Sequence, residues 1–206
     1  MGQFFVIHPD DPQSRLIKQA VKIIQDGGIV VYPTDSAYAI GCQLENKGAL
    51  ERIRQLRQLD GSHNFTLICR DLSEIATYAI VDNSSFRLLK AHTPGPYTFI
   101  LKATKEVPRR LLQPKRNTIG LRIPSNRIVQ ALLVELNEPL MSVTLALPDQ
   151  EYPFVSAHDI NAILGNQVDL VIDGGICGAV GTTIVDLVEG APKIVRAGKG
   201  DPNVFA

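Results

Sequence analysis

The chain has 206 residues, 45% of them hydrophobic, and its 21 basic residues balance its 21 acidic ones. This length suffices for one well-cored domain, and the neutral total argues against strong non-specific binding to nucleic acid. The chain has no apolar run near the roughly 18 residues that span a bilayer and no leader-like N-terminus, so we expect a soluble, cytoplasmic protein without membrane contact.

Hydrophobic periodicity predicts short strands mixed with amphipathic helices. In chain order the predicted elements are strand 3–7, helix 14–25, strand 29–32, helix 47–58, strand 65–69, helices 72–77 and 84–91, strands 97–102 and 118–122, helix 128–136, strand 141–144, helix 158–164 and strands 168–172, 183–187 and 193–195. Because these elements do not alternate strictly, the pattern favours a single α/β (α+β) domain over residues 1–206. We expect a twisted, mixed parallel and antiparallel sheet flanked by helices.

Small polar residues follow the buried strand at residues 29–32. Pro33 cannot donate to a strand ladder, so Thr34, Asp35 and Ser36 are expected to leave the carboxyl end of that strand. Ligands bind at this place in open α/β sheets. The alternative is an Asx or Ser/Thr turn that only shapes the chain, and spacing alone favours this alternative.

The charges are unevenly distributed, since residues 102–127 carry eight bases against one acid. Such a cluster can bind the phosphates of RNA, or it can be a solvated segment that faces the acidic C-terminal part of the chain. Its members are Lys102, Lys105, Arg109, Arg110, Lys115, Arg116, Arg122 and Arg127.

Common cofactor and metal motifs are absent from the sequence. The three cysteines are far apart and lack C-x-x-C spacing, which excludes a paired zinc or redox motif and fits a reducing compartment. Cys69 reads as a buried strand residue rather than a nucleophile. No Walker loop, Rossmann fingerprint or metalloprotease spacing is present, so we expect no metal site of the protein's own.

Four ordered segments resemble motifs of one known family. Residues 33–41 resemble the PT(D/E)T-x-YGLG signature of the YrdC/YciO family, which is related to the threonylcarbamoyl-adenylate (threonylcarbamoyl-AMP) synthases. Residues 94–98 resemble its PGP-x-T strand, and residues 119–124 resemble its IG-x-R-x-P segment. Residues 182–198 resemble its closing ST-x-VD and R-x-G pattern. Residues 3–10 and 63–72 are most similar to the YciO branch.

The resemblance implies a YrdC-like fold with a concave ligand surface. The synthases condense L-threonine, bicarbonate and ATP with loss of pyrophosphate, so ATP with Mg²⁺ and L-threonine are the implied substrates, without a tightly bound cofactor. The family's Lys-x-Arg pair falls on Arg57 and Leu59, and its Ser-x-Asn pair falls on Ser142 and Thr144. Leucine cannot bind a phosphate or carboxylate, so another cation substitutes or the reaction differs.

The resemblance also implies the residues of the site. Ser142 and Arg57 are the expected catalytic residues, and substrate or nucleotide binding is expected from Thr34, Ser36, Thr144, Arg122, Thr182 and Arg196. Alternatives remain at several positions. Arg122 can instead form a structural ion pair with an acid such as Asp186, the residues around Thr182 can form a tight turn, and His63 reads more readily as a solvated loop residue than as a proton carrier.

Three functions remain open at the level of sequence. The first is a nucleotidyltransferase of the threonylcarbamoyl-AMP synthase type, with weak or altered activity linked to tRNA threonylcarbamoyladenosine. The second is a module that binds double-stranded RNA or tRNA through Lys105, Arg109, Arg110, Lys115 and Arg116. The third is a hydrolase that removes threonylcarbamoyl groups. The sequence leaves the oligomeric state open.

Overall fold

The computed structural model describes residues 2–61 and 63–206, which form one ten-stranded sheet with six α-helices. The strands are β1 (Gln3–Val6), β2 (Val30–Tyr32), β3 (Ala39–Gln43), β4 (Thr66–Ile68), β5 (Tyr97–Lys102), β6 (Thr118–Arg122), β7 (Leu140–Thr144), β8 (Leu170–Asp173), β9 (Thr183–Asp186) and β10 (Lys193–Arg196). The helices are α1 (Ser14–Gln25), α2 (Lys47–Arg57), α3 (Leu72–Tyr78), α4 (Asn83–His92), α5 (Arg127–Leu136) and α6 (Ala157–Leu164). Short 3₁₀ helices occupy Arg109–Leu111 and Pro202–Phe205.

The strand order is β1-β8-β2-β3-β7-β4-β6-β5-β9-β10. Strand β8 runs parallel to both β1 and β2, and the pairs β4–β6 and β5–β9 are also parallel. The remaining neighbours are antiparallel. This mixed sheet flanked by helices confirms the fold predicted from the sequence.

The helices divide between the two faces of the sheet. Buried residues of α1 and α5 pack together with alternate residues of β2, β7 and β8 on one face. Helices α2, α3, α4 and α6 contribute to the larger core on the opposite face. Side-chain caps from Asn46, Asp71, Asp82 and Asn126 satisfy backbone amides at the starts of α2 to α5. Within the described residues, no helix is both long and apolar enough to cross a membrane.

Strand β3 is the one strand that the sequence did not predict. It follows β2 after six residues and pairs antiparallel with both β2 and β7. Its centre is Gly41, a residue that weakens any strand signal because it has no side chain to pack. In the folded chain this missing side chain is required, because a Cβ at position 41 would lie 2.6 Å from the carbonyl oxygen of Met141.

Candidate active site

A cavity of about 440 Å³ opens over the middle of the sheet, where α1 and α5 leave that face uncovered. Its volume lies in the range of pockets that hold small ligands. The lining is mostly polar and comprises Ala37, Ala39, Arg57, Asp60, His63, Asn64, Thr66, Ile68, Thr98, Arg122, Ser142, Val143, Thr144, Thr182, Ile184 and Arg196. A second cavity of about 220 Å³ extends to Leu111 and Arg116, and the two cavities share Asn64, Thr66, Thr98 and Ile184.

The structure brings six of the eight expected catalytic and binding residues into the lining of this cavity. They come from separate parts of the chain, namely Arg57, Arg122, Ser142, Thr144, Thr182 and Arg196. Sheet register explains part of this arrangement, because Thr66 of β4 lies between Ser142 of β7 and Gly120 of β6. Thr34 and Ser36 do not belong to the lining.

Thr34 folds its side chain back onto its own loop. Its Oγ1 accepts hydrogen bonds from the backbone amides of Ser36 and Ala37, at 3.1 and 3.2 Å, and donates one to the carbonyl of Ala37 at 2.6 Å. This is the Ser/Thr turn that spacing alone favoured. The turn shapes the loop between β2 and β3 and leaves Thr34 buried.

Arg122 stands at the end of β6 with its guanidinium buried beside the same loop. Its Nη2 donates to the carboxylate of Asp35 and to Thr34 Oγ1, the latter at 3.3 Å. Asp35 also accepts from the amide and hydroxyl of Ser125, each at 3.0 Å. Burial lowers the pKa of Arg122, and the negative charge of Asp35 opposes that fall.

The ion-pair partner of Arg122 is therefore Asp35 rather than Asp186. Asp186 pairs instead with Arg116, at 2.6 Å. The Nε of Arg122 is buried and has no hydrogen-bond partner in the part of the chain that the structure describes. Arg122 also lines the cavity, where a guanidinium is suited to an anionic ligand.

Arg57 lies at the end of α2 and holds the chain that follows β7. Its Nε donates to the carbonyl of Thr144 at 2.9 Å, and its Nη1 donates to the carbonyl of Ala146. Burial lowers the pKa of this guanidinium. Leu59, at the position of the family's arginine, packs against the core on the other face of the sheet and does not line the cavity.

Ser142 receives a hydrogen bond that the sequence did not indicate. The hydroxyl of Tyr32 donates to Ser142 Oγ over 2.6 Å, and both side chains are buried. Burial raises the pKa of Tyr32 far above its usual value. From sequence, Tyr32 reads as an apolar strand residue, and the only available signal was that a buried tyrosine hydroxyl needs a partner.

His63 is half-buried and lines the cavity, although the sequence favoured a solvated loop residue. Burial lowers the pKa of His63, and the positive charge of Arg57 lowers it further. The imidazole is therefore neutral at pH 7 and has a nitrogen able to accept a proton. Asn64 and Asp60 of the same loop also line the cavity without having been singled out.

The closing segment supplies the far wall of the cavity. Thr182 and Thr98 share a hydrogen bond of 2.8 Å between their hydroxyls, and Arg196 Nη2 donates to the carbonyl of Thr182 at 2.9 Å. Thr183 points the other way, is fully buried and accepts from the amide of Gly198. Of the two adjacent threonines, only Thr182 faces the cavity.

The basic cluster is partly neutralised by acids. Arg110 donates to Glu45 at 3.1 Å and to the carbonyl of Leu44 at 3.0 Å, and Arg116 pairs with Asp186. The other three residues of the expected RNA surface are exposed and form no ion pair within the described part of the chain: Lys105, Arg109 and Lys115.

Taken together, the groups in the cavity can hold an anion and orient it. Three guanidinium groups and five hydroxyl side chains line one space, and charge-assisted hydrogen bonds of this kind recognise carboxylates and phosphates. None of the three cysteines lines the cavity, and burial raises the pKa of Cys42 to about 12 and those of Cys69 and Cys177 above their usual value.

Comparison with known proteins gives a consistent result. Residues 22–198 match the Sua5/YciO/YrdC family, described as telomere recombination. The chain is 58% identical to YciO of Escherichia coli (strain K12) over 205 residues, covering 100% of both chains. It is 33% identical to the threonylcarbamoyl-AMP synthase of Idiomarina loihiensis, covering 76% of this chain and 84% of that one.

Solved structures show the same fold. The crystal structure of E. coli YciO matches with a TM-score of 0.96, at 58% identity and 100% coverage of both chains. P. abyssi Sua5 complexed with L-threonine matches with a TM-score of 0.87 at 23% identity, covering 95% of this chain and 57% of that one. The family model and the identities confirm the resemblance read from the motifs, and the chain belongs to the Sua5/YciO/YrdC family.

Proposed function

We propose that the cavity binds ATP and L-threonine, and that the chain acts on threonylcarbamoyl-adenylate in chemistry linked to tRNA threonylcarbamoyladenosine. The observation that carries this proposal is the presence of the Ser142 hydroxyl and the buried Arg122 guanidinium in one open cavity. The similarity to a threonylcarbamoyl-AMP synthase and to a Sua5 that binds L-threonine supports it.

The chemistry sets requirements that the cavity can meet. Threonine and bicarbonate lose water to give a carbamate, whose oxygen then attacks the α-phosphate of ATP and displaces pyrophosphate. The site must therefore hold a carboxylate and a phosphate while negative charge develops on the transferring phosphorus group. Mg²⁺ accompanies ATP as part of the substrate and is held by phosphate and water oxygens.

The cations divide between two roles. Arg57 uses two of its donors on backbone carbonyls, so it shapes the cavity wall and contributes charge more than direct contacts. Arg122 and Arg196 then take over the anion binding that the family's arginine would supply at position 59. The positions of Arg122 and Arg196 in the cavity wall support this assignment.

Mass spectrometry of the reaction products tests the proposal. Purified protein is incubated with ATP, Mg²⁺, L-threonine and bicarbonate, while pyrophosphate release is followed in parallel. We expect threonylcarbamoyl-adenylate, and Ser142→Ala should lower its rate of formation at least about tenfold because the variant loses a hydrogen bond to developing charge. Ser84→Ala, an exposed hydroxyl of α4 that contacts Asp82, is the matched control and should behave as wild type.

The same assay run in reverse separates synthesis from removal. Threonylcarbamoyl-adenylate is added without ATP, and its breakdown is measured for wild type and Ser142→Ala. Breakdown without synthesis would make the chain a hydrolase of threonylcarbamoyl groups. Absence of both reactions, together with no binding of ATP or L-threonine, would refute the proposal.

RNA binding is a second candidate, favoured by the exposed side chains of Lys105, Arg109 and Lys115. All three lie on the segment between β5 and β6, which also carries Arg116 to the rim of the second cavity. Double-stranded RNA or tRNA would meet this surface through its phosphates, so its binding should weaken steeply as salt is added.

A further inference from the structure

The hydrogen bond between Tyr32 and Ser142 crosses an entire strand. Tyr32 lies on β2 and Ser142 on β7, and β3 runs between them. The phenol reaches over Gly41, which pairs with Ser142 in the sheet. A Cβ on Gly41 would lie 3.0 Å from the Tyr32 hydroxyl and 3.1 Å from the ring, so this glycine provides the space through which the phenol passes.

The direction of the hydrogen bond follows from chemistry and burial. A phenol is a better donor than an aliphatic hydroxyl, and Tyr32 donates to Ser142 Oγ. Burial raises the pKa of Tyr32, so the phenol keeps its proton across the whole physiological range. Ser142 Oγ has no other side-chain hydrogen bond among residues 2–61 and 63–206. Its own proton therefore remains available.

We propose that Tyr32 is a positioning residue, which fixes the Ser142 hydroxyl as a hydrogen-bond donor directed into the cavity. Without Tyr32, the serine hydroxyl would rotate freely and could accept as well as donate. With Tyr32 in place, accepting from the phenol leaves the serine proton for the ligand. Tyr32 therefore acts on the ligand only through Ser142 and does not contact the ligand itself.

This inference rests on the proposed function and deepens it, because it names the chemistry of the ligand atom that Ser142 meets. That atom is an acceptor, such as a carboxylate, phosphate or carbamoyl oxygen, rather than an amine. The nearby guanidinium of Arg122 has the same preference, since it also offers only donors. A donor held in place before the ligand arrives stabilises developing negative charge without reorganisation.

A thiol introduced at position 142 tests the positioning role of Tyr32 without any ligand. Ser142→Cys is made in a Cys177→Ser background, because Cys42 and Cys69 are buried but Cys177 is not. The pH dependence of alkylation by iodoacetamide then gives the pKa of the introduced thiol. A donor aimed at this position stabilises the thiolate, so adding Tyr32→Phe should lower the thiolate fraction about tenfold at a given pH below the pKa.

Tyr38→Phe is the matched control for this experiment. Tyr38 is equally buried, and its hydroxyl donates to the carbonyl of Gly175 at 2.7 Å, away from Ser142. We expect it to leave the titration of the introduced thiol unchanged. Circular dichroism and urea unfolding check that each variant is folded. A folded Tyr32→Phe variant with the same thiol titration as its parent would overturn the inference.

A binding cycle gives the second readout. The dissociation constants of L-threonine and of a non-hydrolysable ATP analogue are measured by calorimetry for wild type, Tyr32→Phe, Ser142→Ala and the double variant. Tyr32→Phe should raise the dissociation constant of the ligand that contacts Ser142 about fivefold. In the Ser142→Ala background the same substitution should raise that dissociation constant less than twofold. Equal effects in both backgrounds would mean that Tyr32 acts independently of Ser142, against the inference.

The two readouts keep the failure of each proposal distinguishable. If wild type binds neither ligand, the proposed function fails, and the thiol titration alone decides whether Tyr32 orients position 142. If the ligands bind and the thiol titration does not respond to Tyr32→Phe, the proposed function stands and the positioning role is refuted.

Discussion

Asp35 and Arg122 form a buried ion pair between the loop after β2 and the end of β6. Their side chains are only 12% and 8% exposed. A charge in such a position is stable only while its partner is present, because its hydration has been lost. The pair therefore fixes both the loop and the place of the Arg122 side chain in the cavity wall.

Removing the negative partner should destabilise the fold. We expect Asp35→Asn to lower the free energy of unfolding by about 3 kcal/mol, since Arg122 is left buried without a counter-charge. Urea denaturation provides the measurement. The control is Asp26→Asn, which breaks the exposed pair with Lys22 and should change stability little. Equal effects of the two substitutions would contradict the structural role of Asp35.

His63 should make stability depend on pH. In the unfolded chain the pKa of His63 is about 6.5. In the folded chain burial lowers this pKa, and the positive charge of Arg57 lowers it further. As the pH falls below about 6.5, the unfolded state takes up a proton that the folded state does not, so stability declines until the pH reaches the lower, folded pKa. His63→Gln should remove that part of the decline. Unfolding curves between pH 7.5 and about 5 measure it, and parallel curves for the two proteins would disprove the assignment.

Introducing the family's arginine at position 59 should not strengthen anion binding. Leu59 packs against the core on the opposite face of the sheet, so Leu59→Arg should lose about 1 to 3 kcal/mol of stability and gain no affinity for ATP. Asn64→Arg is the informative comparison, because Asn64 lines the cavity and is exposed. It should tighten ATP binding, and calorimetry distinguishes the two variants. Tighter binding by Leu59→Arg would show that position 59 can reach the ligand.

The salt dependence of RNA binding tests the second candidate function. Changing Lys105, Arg109 and Lys115 to glutamine should weaken binding of double-stranded RNA and reduce the slope of log K against log salt by about one for each lost phosphate contact. A charge-matched control replaces three exposed lysines elsewhere, namely Lys18, Lys47 and Lys90. An unchanged slope in the first variant would rule out this surface as the RNA site.

The sequence predicted the helices and most of the strands because their hydrophobic patterns are local. Strand β3 was missed since Gly41 interrupts its pattern, and its role depends on the neighbouring backbone at Met141 and the phenol of Tyr32. The order of the strands in the sheet could not be predicted from local sequence patterns either. It is set by pairings such as β1 with β8, which join residues far apart in the chain.

The candidate site could be predicted to the extent that family motifs mark it. Six of the expected residues line one cavity, but their hydrogen-bond and ion-pair partners could not be predicted from the sequence. An ion pair between Arg122 and Asp35 or between Arg116 and Asp186 depends on distances across the fold, and charge counts along the chain carry no such information. Charge counts also give no indication of the hydrogen bond from the Tyr32 hydroxyl to Ser142, which crosses an intervening strand.

The wall formed by the closing segment has a consequence for how the protein is made. Lys199 donates to the backbone carbonyl of Asp35, and Arg196 and Thr182 complete the cavity that begins at Ala37. A nascent chain emerging from the ribosome therefore exposes most of the sheet before it possesses a finished site. A ligand that needs the finished site can therefore stabilise the chain only after β9 has paired with β5 and β10 with β9.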